Sequence, residues 1–198
     1  MSKSLLIIFA GLIGTGKSTL ADILAKRLDI PILSSDTIRK ELSGIPPEEH
    51  KYEDFEKGIY GKEFTDRTYE EMFKRAREFL TSGSSLIIDA SFKKRYHRKL
   101  AFDMASELGV RFYIIETVCN SEEIEKRLNA RIKNKESIPF KYITGQASDG
   151  RWEIYKRQKD DFDAMNEIDK KSHITVDTTE SIDTCIEKII ESLRVYEI

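Results

Sequence analysis

Gly11-Leu12-Ile13-Gly14-Thr15-Gly16-Lys17-Ser18 decides the reading of this 198-residue chain. The octet fits G-x-x-x-x-G-K-[ST], in which a glycine-rich loop turns successive backbone N–H groups inward around an anion. Its flanks are those the pattern requires. Before it, Leu5-Leu6-Ile7-Ile8-Phe9-Ala10 is a continuous apolar run suited to a strand buried on both faces. After it, Thr19 to Leu28 puts Leu20, Ile23, Leu24, Ala25 and Leu28 on one face of a helix whose positive end points at the loop. By chance the four fixed positions co-occur in a chain of this length roughly one time in a hundred, before strand and helix are demanded. Gly11, Leu12, Ile13, Gly14, Thr15, Gly16, Lys17, Ser18 and Thr19 are therefore expected to hold a nucleotide polyphosphate. Lys17 would reach the β- and γ-phosphates and Ser18 would offer its hydroxyl to magnesium.

Outward from the loop, short apolar runs alternate with helical patterns, the signature of a parallel α/β sheet. Strands are expected at Pro31–Ser34, Leu86–Asp89, Val110–Val118 and His173–Val176. Helices are expected at Thr37–Leu42, Asp66–Leu80, Lys94–Leu108, Glu122–Ile132, Arg151–Met165 and Ser181–Val195. The implied fold class is a P-loop NTPase-type three-layer α/β/α domain with a five-stranded, mostly parallel sheet, spanning residues 1–198. Two stretches interrupt the alternation. Residues 44–64 are polar with scattered aromatics and read as an acceptor-side insert. Residues 133–150 are poor in hydrophobics and carry Pro139, Gly145 and Gly150, as a lid segment would.

Composition narrows the partners. A net charge of −2 with 34% charged residues describes a surface of mixed sign, with no general case for a nucleic-acid or membrane binder. Cys119 and Cys185 follow no metal or redox spacing, which points to a reducing cytoplasm and to no metal cluster. Lys3 followed by the run from Leu5 to Ile13 resembles a signal peptide, but that run flows directly into the phosphate loop, and its cleavage would remove the loop's own strand.

Ligands of open α/β sheets gather at the carboxyl ends of the strands. Those ends deliver Ser35, Asp36 and Arg39 after the second strand, Asp89, Ser91 and Phe92 after the third, and Asp177-Thr178-Thr179 after the last. Asp36 is placed to accept or orient the proton of an attacking hydroxyl, and Arg39, one turn on, to hold an anionic part of the acceptor. Asp36 as a plain helix cap and Arg39 as a solvated residue are the competing readings. Asp89 ends an apolar run in the manner of a Walker B carboxylate. Ser18, Asp36 and Asp89 are the candidate magnesium ligands, with Asp36 favoured for the acceptor and Asp89 for the metal. Arg127 and Arg131 lie four apart on one helix face before the lid segment, where they could cover the nucleotide or neutralise the transferring phosphoryl group; pairing with Glu123 is the alternative. The basic run from Lys93 to Lys99 is either a solvated face or a phosphate clamp built on Arg95 and Arg98.

Taken together, the phosphate loop, S-S-D-x-x-R-K-E-L at residues 34–42, I-I-D-A-S-F at residues 87–92 and R-x-x-x-R at residues 127–131 resemble the AAA-type P-loop kinases. That group includes polynucleotide 5′-hydroxyl kinases, zeta-toxin-like kinases and gluconate-kinase-like proteins. Gly58-Ile59-Tyr60, the helix from Thr65 and Ser148-Asp149-Gly150-Arg151-Trp152 extend the resemblance to kinase-like ATP-binding domains fused to aminoglycoside-phosphotransferase-like domains. The resemblance implies that Asp36 is the acceptor-activating aspartate, Arg39 the substrate-phosphate arginine, and Arg127 and Arg131 the lid arginines. It places adenine near Arg127 and the Thr178-Thr179 turn. The expected activity is transfer of the γ-phosphoryl group of ATP, with magnesium, to a hydroxyl of a small polar or anionic acceptor. A 5′-hydroxyl oligonucleotide is the alternative acceptor, and an ATP-hydrolysing regulatory switch is a reading of another class. An acidic chain lacks the broad basic channel that long nucleic acid requires.

Overall fold

The computed structural model describes residues 4–46, 58–137 and 152–195, with side chains in the helix that ends at Ser137 described as far as Ala130. The insert expected at 44–64 and the lid expected at 133–150 therefore lie largely outside the described residues.

Five strands, β1 (Leu5–Ala10), β2 (Ile32–Ser34), β3 (Leu86–Asp89), β4 (Arg111–Val118) and β5 (His173–Asp177), form one parallel sheet in the order β2-β3-β1-β4-β5. The mostly parallel sheet expected from the alternation is parallel throughout. Among the described residues the helices are α1 (Lys17–Leu28), α2 (Ser35–Ser43), α3 (Lys62–Thr81), α4 (Arg95–Leu108), α5 (Ser121–Ser137), α6 (Trp152–Asp160) and α7 (Ile182–Val195), with a 3-10 turn at Gly58–Tyr60.

The period-two alternation of β1 divides the core. Leu6, Ile8 and Ala10 face Met72, Ala76 and Leu80 of α3 and Ala101, Met104 and Ala105 of α4. Leu5, Ile7 and Phe9 face Leu20, Ala21 and Leu24 of α1 and Ile186, Ile189 and Leu193 of α7. A strand buried on both faces thus separates two helical layers, which is why its six residues are apolar without a break. Parallel pairing also aligns the strand ends. Ser34 and Phe9 flank Asp89 in register, and the chain reverses direction across the sheet where β3 is followed by β4 on the far side of β1. Ligands collect at that switch point. Among the described residues no helix is long and apolar enough to cross a membrane.

Four helices differ from the sequence reading, by more than a residue or two at one end or in where the phosphate loop meets its helix. Helix α3 begins at Lys62 rather than Asp66, and α5 continues to Ser137 rather than Ile132, so the first residues of the expected lid are helical. Helix α1 begins at Lys17 rather than Thr19, because Gly16, in the left-handed region at φ 82°, turns the loop straight into the helix. Helix α6 stops at Asp160 instead of reaching Met165. The reason lies in the basic run, which is turned inward. Arg98 is fully buried and donates to the carbonyls of Phe92 (2.9 Å), Lys93 (3.2 Å), Asp163 (3.0 Å) and Ala164 (3.1 Å), and to the Glu167 carboxylate. In a helix continuing to Met165 the Asp163 N–H would donate to the Lys159 carbonyl; here it is turned to the Lys93 carbonyl, while Arg98 holds the Asp163 and Ala164 carbonyls. Lys93 and Lys94 bind the Asp161 carboxylate, and the Asp163 N–H donates to the Lys93 carbonyl at 2.8 Å. The run is an internal bracket joining the exit of β3 to the chain beyond α6. Arg98 therefore clamps protein groups and is not free for a phosphate, while Arg95 pairs with Glu167 and Asn166 at the surface.

Removing a buried, fully engaged charge partner costs about 3–5 kcal/mol. Arg98→Met should accordingly lower the thermal midpoint by roughly 10 °C, and an unchanged midpoint would contradict this role. A second prediction concerns His97, which stacks on Tyr69 with ring centroids 3.7 Å apart. Burial drives its pKa down to about 4; nearby Asp66 opposes this and Lys93 assists it. As pH falls from 6.5 towards 4 the unfolded chain takes up a proton that the folded chain refuses, so stability is lost across that window. His97→Phe keeps a ring in the stack and removes the titration. Its urea midpoint should fall less than the parent's between those pH values, and coincident profiles would count against the assignment.

Candidate active site

The phosphate loop is packed from below by strand ends. The backbone of Gly11 is at φ 149°, and a Cβ there would lie 2.3 Å from Thr117 Oγ1, so only glycine fits between β1 and β4. The Gly11 N–H donates to the Ser91 carbonyl at 3.1 Å, tying the loop's entrance to the exit of β3. Thr15 Oγ1 and Thr117 Oγ1 are 2.7 Å apart, and Thr15 also donates to the Leu12 carbonyl at 2.7 Å. Thr178 donates its hydroxyl to the Thr15 carbonyl at 2.7 Å. These bonds engage Thr15, Thr117 and Thr178 through side chains and carbonyls, and leave the loop's inward N–H groups for an anion.

Lys17 and Asp89 meet above this floor. The Lys17 ammonium donates to Asp89 Oδ1 at 2.7 Å and lies 3.5 Å from Ser18 Oγ. Burial opposes charge on Lys17, but Asp89, by its charge and its hydrogen bond, outweighs burial with help from Asp36 and Tyr69. The pKa stands above the ordinary lysine value. Ser18 and Asp89 are thus both neighbours of the Lys17 ammonium, and their hydroxyl and carboxylate are hard oxygen donors. That donor set suits Mg2+, which keeps several waters and phosphate oxygens rather than using an all-protein cage. Among the described residues no group of three or more His, Cys, Asp or Glu side chains is placed to hold a metal.

On the acceptor side, α2 is capped by Ser34, so Asp36 stands in the first turn rather than at the cap, half-buried and within electrostatic reach of Lys17. Arg39 is buried rather than solvated. It donates to the Ile59 carbonyl and to Thr65 Oγ1 (3.3 Å), lies 5.0 Å from the Tyr60 ring centroid, and keeps a buried Nε–H without a hydrogen-bond partner among the described residues. On the opposite side, Arg127 donates to Thr178 Oγ1 (3.0 Å), to the Thr178 carbonyl (2.6 Å) and to Glu123 (3.0 Å). The pairing with Glu123 is present, and Thr178, which sits directly on the loop, brings the Arg127 guanidinium beside it. Arg131 belongs to α5, and its side chain lies outside the described residues.

Three residues escaped the sequence reading. Tyr69 of α3 is buried and accepts the Phe92 N–H at 3.1 Å, while its hydroxyl also bonds the Ser91 side chain. Burial pushes its pKa above the ordinary phenol value, against the pull of Ser91, Phe92, Arg39 and Lys17. Phe92 needs this hold. Its φ of 44° is strained for a side chain with a Cβ, and Tyr69 fixes its N–H while Arg98 fixes its carbonyl. Asp22 lies one turn beyond Ser18, and burial together with the charge of Asp89 raises its carboxyl pKa. Its spacing of four from Ser18 was the available signal. Gln158 of α6 accepts the Ile13 N–H at 3.1 Å. Nothing local in the sequence marks that contact or the Tyr69 hydroxyl.

In Asp89→Asn the ammonium keeps its burial and loses its nearest charge, so the Lys17 pKa should drop below the parent's value. Nitrogen-detected NMR titration of Lys17 Nζ reads this directly, and an unchanged value would show that Asp89 does not hold the charge.

Comparison with known proteins agrees with this geometry. The AAA domain family matches residues 6–152. Uncharacterised proteins of Mycobacterium bovis and Mycobacterium tuberculosis are 30% identical over 94 residues, 48% of this chain; the match spans 19% of those longer proteins. A gluconokinase from Sinorhizobium meliloti superposes with a TM-score of 0.63 at 15% identity, covering 98% of this chain and 94% of its own. The Mycobacterium tuberculosis APS kinase, solved with AMPPNP and APS, gives 0.63 at 17% identity over 98% and 99%. With its phosphate loop, parallel five-stranded sheet and paired helical layers, the chain belongs to the AAA-domain family and carries the P-loop kinase fold.

Proposed function

We propose that the protein is an ATP-dependent phosphotransferase that moves the γ-phosphoryl group to a hydroxyl of a small polar or anionic acceptor. The observation that carries this reading is the convergence of Lys17, Asp89 and Asp36 at the strand ends, with buried Arg39 one turn beyond Asp36. A protein that only bound nucleotide would have no use for a carboxylate and a guanidinium on the acceptor side.

Loop N–H groups and the N-terminus of α1 would hold the β- and γ-phosphates. Lys17 would leave Asp89 for the transferring group and stabilise the charge that gathers on it. Mg2+, held by Ser18 and Asp89 together with phosphate oxygens, would supply further charge neutralisation. Asp36 would orient the acceptor hydroxyl and take its proton, and the unpartnered Arg39 Nε–H would bind an acceptor anion. Arg127 and Thr178 would border the base-side edge of the nucleotide. Arg131 is assigned to the same side by its place in α5. The acceptor is put among small molecules because Lys93, Lys94 and Arg98 of the basic run are engaged by the protein's own groups and the chain carries a net charge of −2.

The test is transfer of labelled phosphate from ATP with magnesium to a panel of sugars, sugar acids, nucleosides, nucleotides and 5′-hydroxyl oligonucleotides. Label should move to one small-molecule class and fall at least 100-fold in Asp36→Asn; Lys17→Ala should abolish turnover. Transfer to the oligonucleotides alone would overturn the small-acceptor assignment. Label appearing only as inorganic phosphate with every acceptor would favour a nucleotide switch.

A further inference from the structure

The two halves of the phosphate loop are held by different parts of the molecule. The second half rests on the sheet through Thr117 and Thr178. The first half rests on α5 and α6. Leu12 and Ile13 pack in a small core with Ile124 and Leu128 of α5 and Trp152 and Tyr155 of α6. Gly14 lies so close beneath α5 that a Cβ there would come within 2.8 Å of Ile124 Cγ2. Within this core one polar bond reaches the loop backbone: Gln158 Oε1 accepts the Ile13 N–H at 3.1 Å, across 145 residues of sequence.

A backbone N–H in this loop has two possible uses. It can be left to face a bound anion, or it can be held by the protein and so fix the direction in which its neighbours face. The Ile13 N–H is held. Its acceptor is a half-buried side chain on a helix that contributes no other residue to the site described above.

We propose that Gln158 is a positioning residue of the phosphoryl-donor site. By taking the Ile13 N–H it locks the first half of the phosphate loop to α6, so that the loop holds its anion-binding shape only while α6 is docked on it. This inference rests on the donor-site reading given above. Nucleotide binding and the docking of α6 are then linked, and the linkage is reciprocal: phosphates that hold the loop also hold the helix. Trp152 is the single tryptophan of the chain. It stacks on Tyr155 with ring centroids 4.9 Å apart, beside Leu12 and Ile13, so its emission reports on this junction without knowledge of the acceptor.

The experiment compares the parent, Gln158→Met and Tyr155→Phe, using Mg·AMPPNP as the probe. Methionine preserves the length of the side chain and removes the acceptor. Tyr155→Phe removes a hydroxyl of the same helix whose partner is Ser121, 3.4 Å away, and keeps the ring that packs beside Leu12 and Ile13 and the Gln158 bond to the loop. Calorimetry measures affinity, Trp152 emission measures the response at saturation, and a melting curve shows that each variant is folded. Gln158→Met should bind the probe about 3- to 10-fold more weakly, the range set by one lost hydrogen bond. Its Trp152 response at saturating probe should drop below half of the parent's, while Tyr155→Phe matches the parent in both.

Three outcomes would overturn the proposal. Gln158→Met could bind and respond as the parent does. Gln158→Met and Tyr155→Phe could lose affinity equally, which would mean that any loosening of α6 has the same effect. The parent could bind the probe with no change in Trp152 emission. Failure of the parent to bind Mg·AMPPNP at all is a separate result, and would remove the donor-site reading itself.

Discussion

A loop that binds an anion through its backbone cannot use those N–H groups to hold itself together. Every other feature of the site follows from that constraint. Part of the shape comes from within, where the Thr15 N–H and hydroxyl meet the Leu12 carbonyl, and the rest comes from side chains and carbonyls on four sides. Thr117 and Thr15 share a hydrogen bond below, the Ser91 carbonyl takes the first N–H, Thr178 grips the Thr15 carbonyl, and Gln158 takes the Ile13 N–H. The sheet order explains why these groups are at hand. With β1 central, β3 and β4 lie on either side of it, and both deliver their exit residues to the loop. The Lys17–Asp89 pair completes the arrangement by keeping a buried ammonium charged and positioned at the mouth of the cradle.

The part of this legible from sequence was the part encoded locally. The apolar run of β1, the glycine spacing and the 3.6-residue pattern of α1, α3, α4 and α7 each depend on neighbours within a few residues. The placement of Asp36 and Asp89 near Lys17 could be expected because strand ends of a parallel sheet converge. Burial of Arg39 was not identifiable, since it depends on Tyr60 and Thr65, which reach it from another part of the chain.

The basic run shows the limit most clearly. Seven residues rich in Lys and Arg look the same whether they face water, a phosphate or the protein's own carboxylates. Asp161, Asp163 and Glu167, which decide the matter, lie more than sixty residues further on. The same capture ends α6 early, against a helical pattern that continues to Met165 in the sequence. A local propensity was overridden by a tertiary ion network. Gln158 was invisible for a related reason: a lone glutamine on a helix has no sequence context that distinguishes an exposed amide from one bonded to a distant backbone.

The Arg98 bracket also bears on how the chain can diversify. It clasps residue 98 to residues 163–167, so β4, α5 and α6 form a closed circuit fastened at its base without a covalent bond. Lengthening the connection between α5 and α6 changes a loop whose ends are already pinned. Loop entropy grows only logarithmically, at about 0.6 kcal/mol for each doubling of length. Insertions, deletions or wholesale replacement there would leave the sheet and its phosphate cradle standing. The chain can thus vary in length between α5 and α6 at little thermodynamic cost while the phosphate cradle stays constant.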